Sequence, residues 1–245
     1  MMFSARLKAK TWRKIVNAVS AIVEEVPIEL TKKGIRFTAM DPSHISMIDF
    51  KMKSKHFEEY KLTEEFTIGI DLDEMKKIVN RSKPQEDLTM KADKSSLNLT
   101  FRQSDGESIR RFKLPIIDIL GGENFKIPEL STTVKAKLSA YVFDDAIKDA
   151  YIVSDHITFH ANKDGLIMRA QGEAGEIETE VRELLEYKFS EDVKATFNLS
   201  YLTDISKAVE DEITMCLGTD MPIRLEFSLD NSEIVFILAP RVERE

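Results

Sequence analysis

The sequence predicts an α+β protein of two similar domains, each an antiparallel sheet with two helices on one face. Three observations predict it. An ordered series of hydrophobic patterns in residues 1–117 returns in residues 134–245. In both halves, stretches with period-two alternation outnumber those with helical spacing. The length of 245 residues also suits two domains of about 115 residues, each large enough for its own core.

Taken in order, Trp12, Ile15, Val16, Val19, Ile22 and Val23 recur at helical spacing and predict the first helix. Ile28 and Leu30 alternate as in a strand, Lys32-Lys33-Gly34 reads as a turn, and Ile35, Phe37 and Ala39 form the returning strand. At a displacement of 131 positions the plan recurs: Phe143, Ala146, Ile147 and Ala150, then Ile157 and Phe159, a turn at Asn162 to Gly165, and Leu166, Met168 and Ala170. Leu72, Met75, Ile78 and Val79 predict the second helix and are answered by Leu199, Leu202, Ile205 and Val209. Asp87 to Met90 correspond to Glu212 to Met215, and Leu97, Leu99 and Phe101 to Ile223, Leu225 and Phe227. Phe112 to Pro115 correspond to Phe236 to Pro240. Helices of roughly 9 to 15 residues are expected. Residues 118–133, with breakers Gly121, Gly122 and Pro128, read as a connector between the domains. Its Ile119, Leu120, Phe125, Ile127 and Leu130 exceed what a passive spacer needs; they either dock on the parent domains or complete a binding groove.

Composition narrows the class. Residues 1–10 are charged and lack an apolar core, and no apolar run approaches the ~20 residues of a membrane span, so a soluble, cytoplasmic protein is expected. Cys216 is the only cysteine, which removes intrachain disulfides and fits a reducing compartment. The net charge of −8 is unevenly spread. Residues 1–117 hold 22 Lys and Arg against 17 Asp and Glu, whereas residues 118–245 hold 13 against 26. Helical spacing turns Arg13, Lys14 and Asn17 outward on the first helix, and Lys76, Lys77, Asn80 and Arg81 on the second, with Lys83 just beyond. The third helix should expose Asp144, Asp145, Lys148 and Asp149, and the fourth Thr203, Ser206 and Lys207. Solvated helix faces account for such spacing equally well, but a local basic surface can also contact phosphates within an acidic chain.

Signs of catalysis are sparse. His156 and His160 share a strand face with Asp155 and Asp164 nearby, which outlines a metal-dependent enzyme as a remote alternative, yet a third well-placed ligand is missing. Asp41 and His44 could suggest acid-base chemistry, but Asp41-Pro42 fits a turn better and no nucleophile stands nearby. Gly121-Gly122 lacks the Lys and Ser/Thr of a phosphate-binding loop. The reading is a scaffold that is not an enzyme and uses no cofactor.

Three segments carry a family resemblance: the run from Gly34 through Met40-Asp-Pro-Ser-His44 to Met47, the connector ending Ile127-Pro128-Glu129, and the tail Leu238-Ala-Pro-Arg-Val-Glu243. In order and spacing they resemble the sliding clamp of archaea and eukaryotes, proliferating cell nuclear antigen, in its archaeal form. The resemblance implies the DNA clamp fold, a homotrimeric six-domain ring around duplex DNA, and a processivity factor in DNA replication and repair. A subunit of a heterotrimeric or checkpoint-type ring is the alternative. It implies a partner-peptide pocket of Met40, His44, Ile45, Met47, Phe125, Ile127, Ile237, Ala239, Pro240 and Val242, serving polymerase, clamp loader, flap endonuclease and DNA ligase. Taken alone, Met40 and Met47 also suit a core; the motif favours Met40 for contact. Implied DNA-facing residues are Lys8, Lys10, Arg13, Lys14, Lys76, Lys77, Arg81, Lys148 and Lys207. Implied subunit contacts pair Lys77, Arg81, Lys83, Arg110 and Arg111 with Asp144, Asp145, Asp149, Glu176 and Glu178 of a neighbour, so Lys77 and Arg81 fall in both sets.

Overall fold

Strand formation begins where the alternation begins. Phe3, Ala5 and Leu7 are buried and their neighbours are not, giving β1 (Phe3–Lys8) in a computed structural model that describes residues 2–103, 106, 108–119 and 125–241. Helix α1 (Ala9–Val19) turns Trp12, Ile15, Val16 and Val19 toward the sheet. There follow β2 (Glu25–Thr31), β3 (Gly34–Met40), β4 (Ser46–Lys53), β5 (Glu59–Leu62) and β6 (Phe66–Asp71). Asp71 then caps α2 (Leu72–Val79) by accepting from the Glu74 N–H at 2.9 Å, a contact contributing ~1 kcal/mol. The half closes with β7 (Glu86–Ala92), β8 (Ser96–Gln103) and β9 (Ile109–Pro115).

The second half repeats the inventory. It runs β10 (Val134–Ser139), α3 (Ala140–Val153), β11 (His156–Asn162), β12 (Gly165–Gly172), β13 (Gly175–Val181), β14 (Glu186–Phe189), β15 (Val193–Asn198), α4 (Leu199–Ser206), β16 (Glu212–Leu217), β17 (Ile223–Leu229) and β18 (Ser232–Leu238). The chain forms two units: Met1–Pro42 with Ile48–Lys126 and Leu229–Glu233, and Ser43–Met47 with Ile127–Ser228 and Ile234–Glu245. In the first, the strand order is β5-β1-β7-β8-β9 in one layer and β4-β3-β2-β6 in the other. In the second it is β14-β10-β16-β17-β18 and β13-β12-β11-β15, the same plan with every strand number raised by nine.

The repeat extends to single atoms. Leu7 pairs with Leu88 and Leu138 with Ile213. The Leu72 N–H donates to the Glu24 carbonyl at 2.8 Å, and the Leu199 N–H to the Asp155 carbonyl at 2.9 Å. Tyr60 Oη donates to the Thr31 carbonyl and Tyr187 Oη to the Asn162 carbonyl, each at 2.6 Å, tying β5 and β14 to the turns after β2 and β11. Burial pushes the Tyr60 hydroxyl up to about 12. In each core a large aromatic stands at the same helical position, Trp12 in α1 and Phe143 in α3, both buried.

Two helix expectations need correction. α1 and α3 have 11 and 14 residues, but α2 and α4 have only 8. Ile22, Val23 and Val209 are buried, as their spacing suggests, but lie beyond the helix ends. Tight turns, with the Val23 N–H donating to the Val19 carbonyl and the Val209 N–H to the Ser206 carbonyl, each at 3.2 Å, keep these residues on the apolar face after their helices have stopped.

The hairpin glycines give a prediction. Gly34 and Gly165 both have φ 141°, a region that disfavours L residues. A Cβ on Gly34 would lie 2.1 Å from the Met52 carbonyl oxygen, whereas one on Gly165 would meet only the Val181 carbonyl oxygen at 3.9 Å. Gly165→Ala should therefore cost about 1–3 kcal/mol of backbone strain, and Gly34→Ala clearly more, because β4 must also move. Paired thermal melts check this; equal losses would show that strain alone acts.

Candidate functional site

In the first unit α1 and α2 pack side by side. Asn17 Nδ2 donates to Asn80 Oδ1 and Arg13 Nη1 to the Ser82 carbonyl, both at 3.0 Å. Around this tie stand Lys10, Lys77 and Arg81, exposed, and Lys76, half-exposed. Glu74 holds Lys77 at 2.6 Å, and that hydrogen bond raises the lysine pKa. Lys8 is 2.5 Å from Asp87 and Lys14 3.6 Å from Asp230. Among the described residues, Lys10, Lys76 and Arg81 make no ion pair. The surface is cationic, with three uncommitted charges.

The second unit ties its helices differently. Ser206 Oγ donates to Asp144 Oδ1 at 2.9 Å. Ser206 is thus buried, contrary to its expected exposure, because a small hydroxyl fits against α3 where it finds a carboxylate. Asp144 also pairs with Lys148, and Lys207 lies 2.9 Å from Asp204. Partial burial works against ionising Asp144, but Lys148 and Ser206 outweigh it and hold the carboxyl below its ordinary range. Lys148 and Lys207 are exposed, yet each has an acidic partner on its own helix. Asp145 accepts from the Tyr141 hydroxyl, and Asp149 is exposed.

Each unit ends a sheet on a strand that, among the described residues, is paired on one side only, β9 in the first and β13 in the second. On β9, Arg110, Phe112 and Leu114 register with buried Phe101, Leu99 and Leu97, so they share the core face. Arg111 and Lys113 occupy the opposite face and are exposed. On β13, Ile177, Thr179 and Val181 register with buried Ala170, Met168 and Leu166, while Glu176, Glu178 and Glu180 take the outer face. One edge is therefore basic and the other acidic. Lys113 and Glu180 are absent from the residues expected for the subunit contact, although the alternation of charged with apolar residues in both strands marks them.

Arg110 is engaged within its own unit. Nη2 lies 2.5 Å from Glu86 Oε2, and the guanidinium sits 5.2 Å from the centroid of the Phe101 ring. Glu86, fully buried, also accepts from the Lys83 N–H at 2.8 Å, while Lys83 Nζ donates to Gln103 Oε1 at 3.4 Å. Sequence reading missed Glu86, since nothing in its spacing distinguishes a buried carboxylate from a strand-end charge.

Of the expected peptide pocket, Met40 and Phe125, in the first unit, are half-buried. In the second, Ile45 is 40% exposed and its carbonyl accepts from the Ala239 N–H at 2.9 Å, which brings the loop before β4 to the tail after β18. His44 is exposed with φ 59°. Ile127, Ala239 and Pro240 are half-buried, and Ile237 and Met47 are buried at 6% and 8% exposure, so Met47 sits as a core residue. Val242, Leu120, Gly121 and Gly122 lie outside the described residues. Ile119, Phe125, Ile127 and Leu130 of the connector are half-buried, and Gly69 admits its start: a Cβ there would lie 2.1 Å from the Ile117 carbonyl oxygen.

Among the described residues no three His, Cys, Asp or Glu side chains converge as metal ligands. His156 contacts Asp155 and has Arg241 Nη1 2.7 Å from its ring nitrogens. Burial, then Arg169 and Lys194, push the His160 pKa down. No described helix is long and apolar enough to cross a membrane.

Comparison with known proteins agrees with this geometry. The family profile for the N-terminal domain of proliferating cell nuclear antigen matches residues 2–122, and that for its C-terminal domain matches residues 126–242. The chain belongs to the proliferating cell nuclear antigen family. It is 37% identical to the DNA polymerase sliding clamp of Methanococcus vannielii, over 99% of this chain and all of that protein. To the DNA polymerase sliding clamp of Thermococcus gammatolerans it is 36% identical, over 96% of both chains. The clamp of A. fulgidus, solved with the C-terminal region of FEN-1 bound, superposes with a TM-score of 0.91 at 29% identity over the full length of both chains. The duplicated α+β plan, with its two helices and antiparallel sheets per domain, is that of the family.

Proposed function

We propose that this chain is a DNA sliding clamp and polymerase processivity factor, acting as a homotrimeric ring around duplex DNA and having no catalysis or cofactor of its own. The observation that carries the proposal is the pair of unpaired edges with opposite charge. A closed ring of identical chains needs two different, complementary surfaces on each subunit. If β9 of one subunit pairs with β13 of the next, both sheets keep their core faces on one side, and Arg111 and Lys113 come to lie beside the neighbour's Glu176, Glu178 and Glu180. Pairing also hides two edges that would otherwise invite aggregation. Lys77, Arg81 and Lys83 extend the basic surface, and Asp145 and Asp149 the acidic one.

Duplex DNA would pass along the helices, where lysine and arginine contact phosphates independently of sequence. A protein held by topology needs only weak contacts. Polymerase, clamp loader, flap endonuclease and ligase would attach by short peptides whose apolar anchors meet residues around Met40, Ile45, Phe125, Ile127, Ala239 and Pro240. The bound FEN-1 segment on the A. fulgidus clamp supports this mode of attachment. The expected setting is the cytoplasm, with the chromosome.

Primer extension on circular single-stranded DNA, with an archaeal polymerase and clamp loader, tests the proposal. Adding the chain should lengthen products made in a single binding event. Unchanged product length, with the trimer intact by sedimentation, would overturn it.

A further inference from the structure

Basic positions on and just past the helices of the first unit correspond, through the duplication, to acidic or uncharged positions in the second. Lys10, Arg13 and Lys14 of α1 correspond to Tyr141, Asp144 and Asp145 of α3, each 131 residues later. Lys76, Lys77 and Arg81, on α2 and just past its end, correspond to Thr203, Asp204 and Ala208, each 127 residues later. The α1 and α3 alignment is fixed by helix starts at Ala9 and Ala140, and the other by helix starts at Leu72 and Leu199. Six basic positions in the first unit thus become three acidic and three uncharged positions in the second.

The lysines that the second unit does possess are differently used. Lys148 and Lys207 stand where the first unit places the mutually bonded Asn17 and Asn80. Each is paired with a carboxylate on its own helix, Lys148 with Asp144 and Lys207 with Asp204. The resulting cluster is locally neutral, and Asp145 and Asp149 add negative charge beside it. Lys10, Lys76 and Arg81, in contrast, have no carboxylate partner among the described residues.

We infer that the duplex is held by the α1–α2 surfaces alone, three per ring, and that the α3–α4 surfaces make no phosphate contact. This rests on the clamp reading above. Lys148 and Lys207 neutralise Asp144 and Asp204 and do not bind DNA. Phosphates near Asp145 and Asp149 would meet like charge, so the duplex is drawn to every second domain around the ring. Three weakly basic patches alternating with three acidic ones provide guidance without tight binding.

Binding of the full-length trimer to a fluorescent 40-base-pair duplex, measured from low to moderate salt, tests this. The variant Lys10→Gln with Lys76→Gln should bind at least about tenfold more weakly at low salt, with a shallower dependence of log K on log salt, since each lost phosphate contact removes about 0.9 from the slope. The comparison variant removes the second unit's lysines at constant net charge: Asp144→Asn, Lys148→Gln, Asp204→Asn and Lys207→Gln. Its affinity and slope should match wild type within about twofold. In the opposite direction, Tyr141→Lys with Asp145→Lys should raise affinity and steepen the slope. Equal losses in the two removal variants, or no loss in the first, would overturn the inference. Wild-type trimer that neither binds duplex nor extends processivity would instead bring down the clamp reading itself.

Discussion

The variant Arg111→Glu with Lys113→Glu is expected to fold normally and to sediment as monomer at physiological salt. Both side chains are exposed on the outer face of β9, so reversal leaves the core untouched. What changes is the edge that the proposed ring would offer to its neighbour: two positive charges become two negative ones, which would lie beside the neighbour's Glu176, Glu178 and Glu180. Like charges placed together across an interface cost several kcal/mol, and about 2.8 kcal/mol already raises a dissociation constant a hundredfold. Simple removal, Arg111→Ala with Lys113→Ala, should have a much smaller effect, because exposed ion pairs contribute only ~0–1 kcal/mol each. That contrast separates charge steering from lost packing. Adding Glu176→Lys and Glu180→Lys to the reversed chain should restore the trimer, since the edges again match with signs exchanged. Sedimentation equilibrium across salt concentrations reads all four chains. A reversed chain that remains trimeric at low salt, where screening is weakest, would mean that these edges do not meet.

The duplication was legible because it lives in periodicity. Phe3, Ala5 and Leu7 and their counterparts Val134, Ala136 and Leu138 are buried in the same alternation, although Phe3 and Val134 differ. Backbone pairing reads only which face is apolar, so low identity does not obscure it. Helix ends were less legible, because Ile22, Val23 and Val209 keep the apolar spacing through turns that are not helical. Charge at the helices was legible in sign but not in use. From spacing alone Lys148 and Lys10 look alike; only the position of Asp144 one turn before Lys148, with Ser206 fixing its carboxylate, distinguishes them. Asp144 stands within one helical turn, but Ser206, which fixes its carboxylate, is distant in sequence. The same holds for Arg110, which the family resemblance implies at the subunit contact and which the fold pairs with Glu86.

That ion pair sets the last expectation. Arg110→Ala should destabilise the first unit by about 2–3 kcal/mol, somewhat less than the ~3–5 kcal/mol typical of breaking a fully buried pair. The reduction reflects the arginine side chain, which is 30% exposed, whereas Glu86 has no exposed surface. Removing the guanidinium leaves a buried carboxylate with the Lys83 N–H as its one remaining hydrogen-bond donor, for Oε1 has no partner within the described protein. It also removes the cation from the Phe101 ring. Replacing both partners with apolar residues of similar volume, Glu86→Leu with Arg110→Met, should cost less than Arg110→Ala alone, since no charge is then left buried. Urea denaturation of the three chains measures the difference. If the double variant is the least stable, the pair is a net stabiliser and not a compensated burden. Because Arg110 and Arg111 are adjacent on β9, the two predictions also separate: loss of Arg110 should lower the melting temperature of the monomer, whereas reversal at Arg111 and Lys113 should dissociate subunits that are individually as stable as before. Neighbouring arginines on one strand would thus serve different partners, because period-two geometry turns one toward the core and the other outward, to the edge that the proposed ring presents to its next subunit.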